Sequence, residues 1–184
     1  DALLHEILTY EVAILTRTPL TTLDNDAKSC HDRVIVVFVL MLSQKHGVPQ
    51  SVCMMAAMSL MMAECSIKTK HGVSSDTCSS TEDNPTHGPG QGSRMAPALW
   101  LIICCLLFDA MTTLCHGAEF CNPSQTVSHK RIGDGFVDDV TNFRNFGLAA
   151  MLAHDYGPVE LASALQQEAQ TWERLLYSTG GQLE

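Results

Sequence analysis

Residues Ala98–Phe108 run without one polar side chain, and this stretch constrains the chain more than any other. Pro97 stands where it fits the first turn of a helix, and the apolar pattern continues to about Leu114. A helix that is hydrophobic nearly all round has to be buried. Other layers must therefore pack against it, and 184 residues at 46% hydrophobic content are enough to build one domain around it. The next longest apolar run, Val34–Leu42, is shorter still. Neither reaches the roughly 20 residues of a membrane-crossing helix, so no membrane segment is expected.

The remaining pattern is mixed. Leu3, Leu4, Ile7, Leu8 and Ala13–Leu15 have a helical period that ends before Pro19. Leu20–Leu23 reads as a strand running into Asp24-Asn25-Asp26. Ser29–Lys45 reads as one helix stopped by Gly47, and Gln50–Glu64 as another whose methionines are expected to fill the core. Ser66–Lys70 and Val73–Thr77 form a hairpin about His71-Gly72, and Ser79–Arg94 a loop. Thr126–Val137 is a strand ending in Asp138-Asp139, with Val140–Phe143 returning beside it. Pro158–Tyr177 is a helix with Leu161, Leu165, Trp172 and Leu176 on its buried face. Few strands flanked by helices predict an α+β fold, a small antiparallel sheet covered on one face.

The eight cysteines fall mostly in apolar stretches, where the free thiol acts as a small hydrophobe. There is no C-x-x-C pair, and Cys115, His116 and Cys121 lack a second pair at zinc-ligand spacing. Asn84 and Asn122 are followed by proline, so neither is a glycosylation acceptor. No basic-then-apolar leader occurs, and an intracellular location, cytoplasm or nucleus, is expected. The start at Asp1 suggests a piece of a longer chain.

Acids gather at strand ends: Asp24 and Asp26 after one, Asp138 and Asp139 after another. Carboxylates beside apolar strands are costly unless a hard cation joins them, and Mg²⁺ takes carboxylate oxygens while keeping positions for water and phosphate. At a hairpin tip the strict alternation of side chains lapses, so Asp138 and Asp139 can lean to one site, with Asp26 completing it from an adjacent strand. Three such carboxylates suit two metal ions about 3.5–4 Å apart, a clamp for in-line phosphoryl displacement. The bland alternatives are a polar turn and a helix cap. Asp134 lies between two glycines, which suits a bend better than a ligand.

The order of three motifs carries a resemblance. Asp26 and Asp32, in Leu23-Asp24-Asn25-Asp26-Ala27-Lys28-Ser29-Cys30-His31-Asp32-Arg33, have the spacing of the first catalytic motif of retroelement reverse transcriptases. Gly88-Pro89-Gly90-Gln91-Gly92-Ser93-Arg94-Met95-Ala96-Pro97-Ala98-Leu99-Trp100 is similar to the second, and Gly135-Phe136-Val137-Asp138-Asp139 resembles the third. The Trp172 helix and Ser178-Thr179-Gly180-Gly181 look like the approach to the next motif, where the family carries a lysine that the sequence to Glu184 does not reach.

The resemblance implies a polymerase palm over 1–184 with part of the fingers, the thumb absent and both ends incomplete. It implies RNA-templated DNA synthesis, in which a primer 3′-hydroxyl attacks a deoxynucleoside triphosphate. Asp26, Asp138 and Asp139 would be the catalytic and metal-binding residues, holding two Mg²⁺ ions, with Mn²⁺ as a substitute. His31, Gln91 and Gly92 would contact the nucleotide. The partners would be an RNA template, a DNA or RNA primer and the missing fingers and thumb; a membrane is not among them, and the piece by itself is expected to be inactive.

The chain departs from the family at His31, usually Tyr or Phe, where the ring backs the sugar, and at Ala96, usually Ser; Arg94 in the same loop is read as solvated, the alternative being a contact to phosphate or template. A decayed, inactive copy and an RNA-dependent RNA polymerase palm are the alternative readings, and a small helical interaction protein is a third. The net charge of −9 opposes nucleic-acid binding by a whole protein. It suits a palm whose basic fingers and thumb lie elsewhere.

Overall fold

The computed structural model describes residues 2–81, 88–90, 93–136, 139–147 and 156–183. Its helices are α1 (Ala2–Thr16), α2 (Cys30–Arg33), α3 (Val36–Lys45), α4 (Gln50–Met61), α5 (Ala96–Leu114) and α6 (Pro158–Ser178). The strands are β1 (Thr21–Asp26), β2 (Glu64–Thr69), β3 (Gly72–Ser79), β4 (Ala118–Cys121), β5 (Ser128–Arg131), β6 (Gly133–Phe136) and β7 (Asp139–Arg144). The fold is a mixed one of helices and small antiparallel sheets: β1-β7-β6, β2-β3 and β4-β5. Two compact units divide the chain, one of Asp1–Lys28 with Cys104–Glu184, the other of Ser29–Ile103.

In the first unit β7 lies between β1 and β6. Its side chains alternate, so Asp139, Thr141 and Phe143 share one face, and Val140 and Asn142 the other. Both faces are covered, where the sequence predicts one. Tyr10 of α1 meets Phe143 edge-on at 6.2 Å between ring centroids. On the opposite face α6 packs on β1 and β7. Its Leu161, Leu165, Ala169, Trp172 and Leu176 are buried, as the spacing predicts. Trp172 is fully enclosed and lies 5.5 Å from the Phe108 ring.

Gly133 and Gly135 belong to a regular strand rather than the expected bend. The reason is space, since a Cβ at Gly133 would collide with the Thr141 carbonyl and one at Gly135 would press on the Phe108 ring. The expected strand 126–137 is likewise two strands, β5 and β6, and β5 pairs with β4, which periodicity does not reveal. Beyond α6, Lys28 N–H donates to the Gln182 carbonyl at 2.8 Å, and Leu183 bridges to Ala27.

A buried polar knot ties α6 to the turn before β4. Glu168 Oε1 accepts from the backbone N–H groups of His116 (2.9 Å) and Gly117 (3.0 Å), and Arg144 Nη1 lies 3.6 Å from the same oxygen. Arg144 also donates to the Gly117 carbonyl, and Lys130 Nζ donates to the carbonyls of Thr112 in α5 and of Cys115 just past its end.

In the second unit the expected helix 29–45 is broken. Val34 and Ile35 are extended between α2 and α3, within a run of β-branched residues whose stiff side chains lower helix propensity. The methionines of α4 are not core. Met54, Met55, Met58, Met61 and Met62 are exposed, and Cys53 is the buried residue of that helix. The helix is largely apolar, and among the described residues its main packing partner is α3. Similarly, α5 buries a stripe through Leu99, Trp100, Ile103, Cys104, Leu107 and Met111 while leaving Leu101 and Leu114 exposed. Contrary to expectation it is long and apolar enough, at 19 residues, to cross a membrane by length and composition.

Replacing the enclosed Trp172 by Ala removes a large aromatic ring from between α6 and α5. We expect Trp172→Ala to cost about 3–5 kcal/mol, read as a fall in the urea midpoint of unfolding.

Candidate active site

The site begins with the pairing of two strands from distant parts of the chain. β1 and β7 run antiparallel with Asp24 opposite Thr141 and Asp26 opposite Asp139. Asp139 is in turn opposite Phe136 across the β6–β7 hairpin. Directly opposite side chains in an antiparallel ladder share a face, so Asp24, Asp26, Asp139 and Thr141 lie on the face where Tyr10 of α1 meets Phe143. Asp24, Asp26 and Asp139 are exposed.

Like charges directly opposite repel. Among the described residues neither Asp26 nor Asp139 has an ion-pair partner. Asp24 differs, since its Oδ1 accepts a 2.7 Å hydrogen bond from the Thr141 hydroxyl. A cleft of about 490 Å³ opens on this face, lined by Leu3, Glu6, Asp134, Gly135, Phe136, Asp139 and Thr141.

Asp134, at the β6 edge of the cleft, is already engaged. One guanidinium nitrogen of Arg131 donates to both its oxygens. Burial nevertheless outweighs Arg131 and holds the Asp134 carboxyl above the usual carboxylate range.

The other sequence candidates belong to the second unit. His31, in α2, meets Trp100 edge-on at 6.4 Å. Its Nδ1 is buried and has no hydrogen-bond partner among the described residues. Gly88, at φ +71°, lies so close that a Cβ there would collide with the His31 carbonyl and the Asp32 backbone. The first motif and the Gly-rich second motif are thus packed together at both ends of the latter, Gly88 and Trp100. Arg94 is exposed.

Asp138, Gln91 and Gly92 lie outside the described residues. Among those described, no three His, Cys, Asp or Glu side chains form a metal-holding group. Cys115, part of the zinc arrangement set aside above, is buried, and burial followed by the nearby Glu168 carboxylate pushes its thiol pKa up. Sequence reasoning missed the ion pairing of Asp134, although Arg131 three residues earlier was its signal. Comparison with known proteins finds no matching family model and no matching curated protein.

The raised Asp134 pKa has a definite sign. The folded state holds this proton more tightly than the unfolded state, so the group's contribution to stability is present at low pH and is lost as pH rises through its folded value. Asn cannot titrate. We expect Asp134→Asn to gain stability relative to wild type as pH rises past the ordinary carboxylate range, checked by urea midpoints of both chains across a pH series.

Proposed function

We propose that this chain is the palm, with part of the fingers, of an RNA-templated DNA polymerase of the reverse transcriptase type. One observation carries the reading: three short motifs, scattered from Asp24 to Asp139, are brought together pairwise by the fold. The first and third align as neighbouring strands with Asp26 opposite Asp139. The first and second meet where Gly88 and Trp100 pack on His31. The sequence likeness was drawn without these contacts, so the pairing supports it independently.

The donors suit a hard divalent cation. Two exposed carboxylates facing each other across a strand pair, with no ion-pair partner among the described residues, are relieved by a shared positive ion. Asp26 and Asp138 would hold two Mg²⁺ or Mn²⁺ ions, with Asp139 assisting. Such ions, when bound, lower the cost of forming the attacking alkoxide and of releasing pyrophosphate. The chain's own contribution is placement. The β1–β7 register fixes Asp26 and Asp139 on one face, and the cleft beside Asp139 would receive a primer terminus or a deoxynucleotide. Gln91 and Gly92 would contact the nucleotide, the glycine allowing close backbone approach. His31 would lie by the sugar, where its unpartnered Nδ1 can hydrogen-bond.

The test is primer extension on an RNA template by a polypeptide joining this sequence to basic fingers and a thumb. Asp26→Asn and Asp138→Asn should each reduce deoxynucleotide incorporation to background. Wild-type rates in either variant, or incorporation of ribonucleotides alone by the parent, would overturn the reading. In the same assay His31→Tyr should raise the preference for deoxynucleotides over ribonucleotides; an unchanged ratio removes His31 from that role.

A further inference from the structure

The β2–β3 ribbon sets two thiols face to face. Its register places Cys65 opposite Cys78, between the pairs Glu64 with Ser79 and Ser66 with Thr77. Opposite residues of an antiparallel pair project from the same face with Cα atoms about 4.5–5.5 Å apart. That separation falls inside the span of about 4.4–6.8 Å that a disulfide bridges. Both cysteines are free thiols, and every residue of both strands is exposed. Cys30, Cys53, Cys104 and Cys115 are buried by contrast. Among the described residues no other two cysteines are strand partners.

We infer that Cys65 and Cys78 are a reversible redox couple, closed by peroxide into a disulfide that staples the hairpin. One thiolate attacks a peroxide oxygen; the S–O bond forms, the O–O bond breaks and hydroxide leaves, taking a proton to become water. The second thiolate then attacks the sulfenic sulfur; the S–S bond forms, the S–O bond breaks and hydroxide leaves, taking a proton to become a second water. Each sulfur gives up one electron and the peroxide takes two. A dithiol reductant restores the thiols by exchange.

The device acts on a part of the fold that needs it. An isolated two-stranded hairpin is marginal in water. β2 and β3 pair with each other and with no third strand among the described residues. Closing the loop from Cys65 to Cys78 removes unfolded conformations, so oxidation converts a loosely held ribbon into an ordered one.

The experiment uses the whole chain, treated with hydrogen peroxide, alkylated, and digested with trypsin and a Glu-specific protease. Cleavage after Glu64, Lys68, Lys70 and Glu82 releases 65–68 and 71–82 as separate peptides, and isolates Cys53 from Cys65. The expected product is these two peptides joined, lighter by two hydrogens than their sum, from a chain still monomeric on a non-reducing gel and parted by dithiothreitol. Cys65→Ser should abolish it. In oxidised wild type the amides of 64–79 should exchange about a hundredfold more slowly than in the reduced chain, with no such change in Cys78→Ser. Dominant linkage to Cys53, Cys105 or Cys121, covalent dimers, or sulfinic acid at both positions without a link would overturn the inference. So would a link that leaves amide exchange unchanged.

Discussion

The central position of β7 is the constraint on which the first unit depends. Both its neighbours are antiparallel, so a single register decides which residues face α1 and which face α6. A slip of one residue would exchange the two faces. It would send Asp139 and Thr141 into the layer that holds Val140 and Asn142, and put those buried residues in solvent. The hydrophobic demand of Val140 and the placement of the acids are therefore one requirement. Core packing on the opposite face holds the site in register.

A second fastening is electrostatic. Burying Glu168 and Arg144 costs several kcal/mol of lost hydration. The cost is offset where the carboxylate also receives two backbone N–H groups at the turn before β4 and the guanidinium donates to the Gly117 carbonyl. The turn is thereby pinned to α6, while Asn145 bonds both backbone groups of Glu119 and pins the start of β4 to the end of β7. Short strands with little apolar surface of their own are held by directional bonds.

Elements with clear punctuation were legible in the sequence. Pro19, Pro97 and Gly157-Pro158 bound α1, α5 and α6, and the apolar spacing of α6 gave its buried face residue by residue. What misled was composition without neighbours. The methionines of α4 look like core because they are apolar, yet burial depends on a packed partner, and α3 covers only one side. The break at Val34-Ile35 carries no Gly or Pro to announce it. Of the site, the pairing of Asp26 with Asp139 was legible because acids after two apolar strands suggested neighbours. The covering of the sheet by α1 was not, since it rests on Tyr10 meeting Phe143, a contact no periodicity encodes.

The β1–β7 ladder also sets a timetable. Thr21 pairs with Arg144, so during synthesis β1 has no strand to join until most of the chain has been made. Pairings this distant are slow to form because their loop-closure entropy is met before any ladder bond repays it. α5 waits longer still, since Phe108 has no Trp172 against it until the last helix has been made. Between those two points an apolar helix stands with part of its buried stripe uncovered, a state in which chains of this kind are prone to associate.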